Sequence, residues 1–150
     1  MLHESLWDSC RDLADACLRH PFVQGIAAGT LDPRLYDDYV RQDAFYLRAF
    51  VRAYALALAR CDDLEAARTL HELAGGALDE LQMHLRHAAQ VGLDLNDVQP
   101  NPACLAYTDF LLATAWGGTL AEILAAMTPC MRLYAWLGEQ LAPAAAPSHP

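Results

Sequence analysis

Long hydrophobic runs are missing from this 150-residue chain. Asp, Arg, Glu or His interrupts every apolar stretch before it nears the ~20 residues that a bilayer span requires, which excludes a membrane-spanning helix. Basic residues are also few. Ten Lys and Arg stand against 19 Asp and Glu, a net charge of −9 at pH 7. Nucleic-acid affinity comes from clustered Lys and Arg that displace counterions, so no nucleic-acid partner is expected. The opening residues Met1-Leu2-His3-Glu4-Ser5 lack a basic region followed by an apolar one, so no export signal is read. The five cysteines form an odd set without a CxxC pair. Cys10 and Cys17 lie seven positions apart on one predicted helix, out of bridging reach, so a reducing cytoplasm is the expected location. There is no Gly-rich phosphate loop, no Ser-His-Asp order and no HExxH. Nucleotide hydrolysis, serine-hydrolase and zincin chemistry are thus without support.

What is present favours helix. Apolar residues make up 55% of the chain, and Ala and Leu dominate over the β-branched Val and Ile, which predicts an all-α fold. A chain of this length is expected to form one domain and to bury roughly 70% of its unfolded surface. Leu6, Leu13, Cys17 and Leu18 recur at helical spacing, and His20-Pro21 ends that first helix. Gly25 and Gly29 then mark a short turn of helix plus a loop. Asp32-Pro33 starts a second helix running to about residue 59, with a buried face of Tyr36, Tyr39, Val40, Asp43, Tyr46, Leu47, Phe50 and Tyr54. Asp62 or Asp63 caps a third, whose seam is Leu70, Leu73, Ala74, Ala77, Leu81, Leu85 and Ala88. Gly92 stops it, and Gly75-Gly76 is a candidate bend. A polar loop over 94–101 leads to Asn101 and Pro102 as cap and first residue of a fourth helix, which ends near 116 at Gly117-Gly118. Thr119 and Glu122 form a capping box for a fifth helix running to about 141 and bent at Pro129. Residues 142–150 carry three prolines and read as a non-helical tail.

Three groups of residues have the makings of chemistry. Cys130 follows Pro129 and lies four positions before Tyr134, so a thiol and a phenol share one helix face. The bland reading is a buried cysteine acting as a small hydrophobe. Asp43 and Tyr46 place a carboxylate and a phenol three apart in an apolar stripe, where an unpaired carboxylate is costly. Asp43 therefore meets either a ligand or a Tyr or Arg of a neighbouring helix. Glu80, His84 and His87, at i, i+4 and i+7, have metal-ligand spacing, against a default of a buried Glu–His hydrogen-bond pair. Cys10, Cys17, Cys61 and Cys104, with Phe45, Phe50 and Trp136, are assigned to packing.

These residues, taken in order, resemble the TenA or thiaminase II family. The resemblance runs through His20-Pro21-Phe22-Val23 with Gly25, Ile26, Gly29 and Thr30-Leu31, then Gln42-Asp43 with Tyr46-Leu47, and Glu80 with His84 before Gly92. It continues through Ala106-Tyr107-Thr108, Gly118 with Leu120-Ala121-Glu122, and Pro129-Cys130 with Tyr134 and Gly138, from Leu6 to about Leu141. It implies a haem-oxygenase-like helical bundle over 1–141 followed by the tail at 142–150. It also implies hydrolysis of an aminomethylpyrimidine or thiamin to hydroxymethylpyrimidine in thiamin salvage. Cys130 is then the nucleophile, Asp43 the anchor for the amino-pyrimidine edge, and Tyr46, Tyr107 and Tyr134 pocket residues. No cofactor and no metal are implied, Glu80 and His84 being ordinary in such sequences. A homo-tetramer is the implied assembly. Family members continue for roughly two more helices, bearing a catalytic glutamate and a further tyrosine. A protein ending at Pro150 is expected to turn over slowly and to leave apolar helix faces uncovered. The alternatives are a non-catalytic pyrimidine-binding or self-associating bundle and a metal-dependent oxidase on the same fold.

Overall fold

A computed structural model describes residues 1–144, and the expected tail from 145 onward lies outside the described residues. Every regular element among them is helical: α1 (Leu2–Ser9), α2 (Arg11–Leu18), α3 (Pro21–Ala28), α4 (Pro33–Leu58), α5 (Leu64–Val91), α6 (Pro102–Gly117), α7 (Leu120–Leu141) and a 3-10 turn at Ala142–Ala144. No helix among the described residues is long and apolar enough to cross a membrane. The helices group into two compact units, one made of Met1–Pro33 with the chain from Cys130 on, the other of Arg34–Pro129.

In the first unit the expected single N-terminal helix is two. The break is at Cys10, whose φ of −107° and ψ of 9° lie outside the helical basin. The Ser9 hydroxyl donates back to the Leu6 carbonyl at 2.7 Å and the Cys10 amide to the Trp7 carbonyl at 3.0 Å. Such local bonds give the chain an alternative to continued α-helix. Trp7 of α1 and Trp136 of α7 meet edge to face, ring centroids 5.7 Å apart. The Arg11 guanidinium lies 4.9 Å over Trp136 and that of Arg132 4.9 Å over Trp7. The expected short turn at Gly25 is a full two-turn helix, α3. It is entered through Pro21 with the His20 ring nitrogen accepting from the Phe22 amide at 3.2 Å. Gly29 closes it at φ 67°, a left-handed conformation that side chains resist.

In the second unit α4, α5, α6 and the first part of α7 share one core. Leu47, Phe50, Ala53, Tyr54 and Ala57 pack with Leu70 and Ala77, Leu111 and Ala115, and Ile123, Ala126 and Met127. A smaller cluster joins Val40 and Ala44 to Ala88 and Leu95. The α5 seam differs from expectation. Leu73 and Leu85 are 38% and 36% exposed, whereas His84 is 2% exposed. The inward positions alternate in steps of four and three through Leu70, Ala74, Ala77, Leu81, His84 and Ala88. Leu85, one residue past His84, is turned ~100° away.

The loop after α5 is held on α4. Arg48 donates to the Leu95 carbonyl at 2.8 Å, and Gln42 donates to the Gln99 carbonyl at 3.1 Å while accepting from the Asn101 amide at 2.8 Å. The expected caps form. Asp63 accepts from the Ala66 amide at 2.7 Å, Asn101 from the Cys104 amide at 2.8 Å, and Gly92 ends α5 at φ 74°. Gly118 is needed for space, because a Cβ there would lie 2.7 Å from the Thr114 carbonyl oxygen. Thr119 and Glu122 make the capping box: the Thr119 amide and hydroxyl donate to the Glu122 carboxylate at 2.7 and 2.8 Å, and the Glu122 amide donates back at 3.4 Å. α7 passes through Pro129, which has no amide hydrogen to give the preceding turn.

Two outcomes follow from this packing. Phe50→Ala, at a ring only 2% exposed, is expected to lower unfolding free energy by about 3–5 kcal/mol, read from the urea midpoint. The Thr119 amide and hydroxyl hold the Glu122 carboxyl below its ordinary range. Its stabilisation is therefore present above the unfolded-state pKa and lost as pH falls through the lower folded-state value. The difference in melting temperature between wild type and Glu122→Gln should be largest at neutral pH and should shrink in acid.

Candidate functional site

Asp43 sits on the inward face of α4 at 9% exposure. In so apolar a setting an ionised carboxylate needs a donor. That donor is His84 of α5, whose Nε2 is 2.7 Å from Asp43 Oδ2. An ionised carboxylate only accepts, so the imidazole presents Nε2–H to it. His84, expected to pair with Glu80 on its own helix, thus meets a carboxylate of α4. A second rung lies nearby, with His87 Nε2 3.0 Å from Asp37 Oδ1. Asp37 and Asp43 meet His87 and His84 respectively, the crossed order that antiparallel neighbours require.

Aromatic rings wall these rungs. Tyr36 meets the His87 ring edge to face at 5.2 Å, and Tyr39 meets His84 at 6.2 Å with planes at 90°. One turn along α4, Tyr46 stacks on Phe50 at 5.1 Å and on Tyr107 of α6 at 5.7 Å, the two tyrosine planes only 11° apart. The Tyr107 hydroxyl donates to the Ala126 carbonyl at 3.4 Å. Gln42 sets this register. Besides its bonds to the loop, its own carbonyl receives the Cys104 thiol at 3.5 Å, so the start of α6 is tied to α4 one turn before Tyr107.

The charge on Asp43 is felt by its neighbours. Burial, and then Asp43, push the Glu80 carboxyl up, with His84 opposing. Burial and Asp43 likewise raise the Cys104 thiol, and burial, Asp43 and Asp37 raise the Tyr36 phenol. All three acids are biased toward their neutral forms. The ligand atoms of Asp43, Glu80 and His84 lie within 4.8 Å of one another, a set of the size a metal ion takes.

Of the residues singled out from sequence, Asp43, Tyr46 and Tyr107 thus fall in the second unit, with Tyr46 and Tyr107 in direct ring contact. Cys130 and Tyr134 fall in the first unit, one turn apart on α7. The thiol residue is partly buried, and Tyr134 is 51% exposed. The role of His84 as the partner of Asp43 was missed, although the alternating seam spacing points residue 84 inward. The Asp37–His87 rung and the Gln42 clamp left no sequence signal, since both depend on the register between helices. On the surface, α6 exposes Leu105, Phe110 and Trp116 at 42%, 54% and 70%.

Known proteins are similar to this chain over most of its length. The aminopyrimidine aminohydrolase of Halalkalibacterium halodurans is 32% identical over 141 residues, covering 91% of this chain and 63% of that protein. That of Bacillus subtilis is 32% identical over 142 residues, covering 89% and 60%. The chain therefore spans less than two thirds of the length of these curated relatives. Among solved structures, a TenA family transcription regulator from Silicibacter sp. TM1040 matches with a TM-score of 0.88 at 27% identity, over 97% of this chain and 67% of that one. A TenA homologue from Pyrococcus furiosus matches with a TM-score of 0.90 at 21% identity, over 100% and 72%, which bears on fold. The all-α fold is accordingly the haem-oxygenase-like one expected from the sequence. With residues 7–150 also matching the description of the TENA/THI-4/PQQC family, the chain belongs to that family.

Proposed function

We propose that the protein hydrolyses an aminomethylpyrimidine, or thiamin itself, to the hydroxymethylpyrimidine of thiamin salvage. The observation that carries this reading is a buried carboxylate, Asp43, bonded to His84 through one oxygen and lying one turn from the Tyr46–Tyr107 stack. A carboxylate suits the donor edge of an amino-pyrimidine, and stacked phenols suit its flat face. The two relatives named aminopyrimidine aminohydrolase support the same substrate class. In this reading Asp43 accepts from the exocyclic amine, and Tyr46, Tyr107 and Tyr134 shape the pocket. The Cys130 thiolate adds to a ring carbon. The substituent on the methylene carbon departs, as ammonia from an aminomethylpyrimidine or as the thiazole from thiamin, water adds in its place, and the thiolate is expelled as ring aromaticity returns. One water is consumed for each ammonia or thiazole released.

Self-association is part of the proposal, supported by Leu105, Phe110 and Trp116 on the surface of α6. Five free thiols support a reducing compartment such as the cytoplasm. A second reading has a specific observation in its favour. The convergence of Asp43, Glu80 and His84 would also suit a divalent cation and metal-dependent oxidation. That reading predicts near-stoichiometric iron or manganese in protein purified without chelator, whereas the hydrolase reading predicts turnover that survives EDTA treatment.

Ammonia release from an aminomethylpyrimidine tests the main proposal. Cys130→Ala is expected to lower kcat by on the order of a thousandfold while leaving calorimetric affinity near wild type. Asp43→Asn should weaken binding roughly 10- to 100-fold through loss of charge-assisted hydrogen bonds. Unchanged turnover in the Cys130 variant would remove the thiol from the reaction.

A further inference from the structure

His84 occupies a place in the α5 seam where an aliphatic side chain would pack without needing a partner. Its neighbours along that seam are Leu81 and Ala88, and it is itself 2% exposed. The imidazole is held from two sides. Tyr39 packs perpendicular to it at 6.2 Å, and its Nε2 lies 2.7 Å from Asp43 Oδ2. A ring so restrained gives its N–H a fixed direction, and that direction sets the plane of the carboxylate it meets. An Asp side chain alone has broad freedom about its terminal torsion. Recognition of a planar donor edge needs that freedom removed beforehand, because binding must otherwise bear the cost of ordering.

His84 engages Oδ2, so the oxygen to be tested against a ligand is Oδ1. Glu80 on α5, Tyr36 on α4 and Cys104 on α6 also sense Asp43. What distinguishes His84 is direct contact, its Nε2 lying 2.7 Å from Asp43 Oδ2. His84 is the group among them that is built to orient the carboxylate rather than to share its pocket.

We infer that His84 is a positioning residue for substrate, its Nε2–H locking the Asp43 carboxylate so that Oδ1 meets the exocyclic amine of an aminopyrimidine. This rests on the hydrolase reading above. The inference separates shape from chemistry. A glutamine at this position carries its terminal nitrogen three bonds from Cβ, as histidine carries Nε2. An asparagine places its own one bond short, and leucine has none. The structure therefore assigns a ranking, His close to Gln, then Asn, then Leu, in ground-state recognition and not in the bond-breaking step.

The test measures KM, kcat and calorimetric affinity for an aminomethylpyrimidine in wild type, Asp43→Asn, His84→Gln, His84→Asn and His84→Leu, alongside melting temperature. Expected is a rise in KM of about tenfold or more in His84→Leu with kcat within about threefold, and recovery in His84→Gln to within about threefold of wild type. In the double variant His84→Leu with Asp43→Asn, the two losses should fail to add, because both remove the same contact. Wild-type KM in a folded His84→Leu protein overturns the inference, as does a His84→Gln protein no better than His84→Leu. If His84→Leu does not fold, His84→Gln against His84→Asn carries the comparison, and equal KM in those two overturns it. Absence of any aminopyrimidine binding by wild type overturns the hydrolase reading and this inference together. Weakened binding in Asp43→Asn with unaltered binding in the His84 variants overturns this inference alone.

Discussion

A carboxylate and an imidazole meet at 2.7 Å in an otherwise apolar and aromatic seam, and the second unit is arranged around that contact. Burying either group alone is expensive; removing one partner of such a pair typically costs about 3–5 kcal/mol. The pair thus constrains more than itself. It fixes α4 against α5 in one register, because a shift by a single residue on either helix would turn Asp43 or His84 away by ~100°. The Asp37–His87 bond, 3.0 Å long, repeats the constraint further along the same helix pair. Apolar packing between the two helices is tolerant of sliding, whereas these polar rungs are not.

The rest of the unit extends that register. Gln42, adjacent to Asp43 in the chain, accepts from the Asn101 amide and donates to the Gln99 carbonyl, so the loop before α6 is hung from the residue beside the buried acid. Asn101 then caps α6 and Pro102 begins it, which sets where Tyr107 falls. The Tyr46–Tyr107 stack is the result of that chain of fixed steps rather than a separate device. Further on, Gly118 allows the backbone to pass close to Thr114, and the Thr119–Glu122 box starts α7 on the same core.

The first unit is organised by different chemistry. Two tryptophans in contact are flanked by two arginines, Arg132 over Trp7, Trp7 against Trp136, and Arg11 over Trp136. Each cation–π contact is worth about 0.5–2 kcal/mol, depending on solvent exposure. Cys130 and Tyr134 belong to the same stretch of α7 as Trp136, so the part of α7 in this unit carries the proposed nucleophile and the aromatic anchor together.

Local chemistry was legible from the residues alone. Caps at Asp63, Asn101 and Thr119, the stop at Gly92, and the starts at Pro33 and Pro102 each depend on a few adjacent side chains. The helical class and the family resemblance were therefore readable too. The break at Cys10 was not, because Ser9 and the Cys10 amide choose their bonds within one turn in a way that apolar spacing does not encode. Nor was the assignment of Leu73 and Leu85 to the surface, since several faces of a leucine-rich helix have nearly equal claim to the core until a partner helix selects one. Which acid meets which histidine was decided by tertiary structure alone. Asp43 and His84 are 41 positions apart, and only the antiparallel packing of α4 on α5 makes their separation small enough for a hydrogen bond.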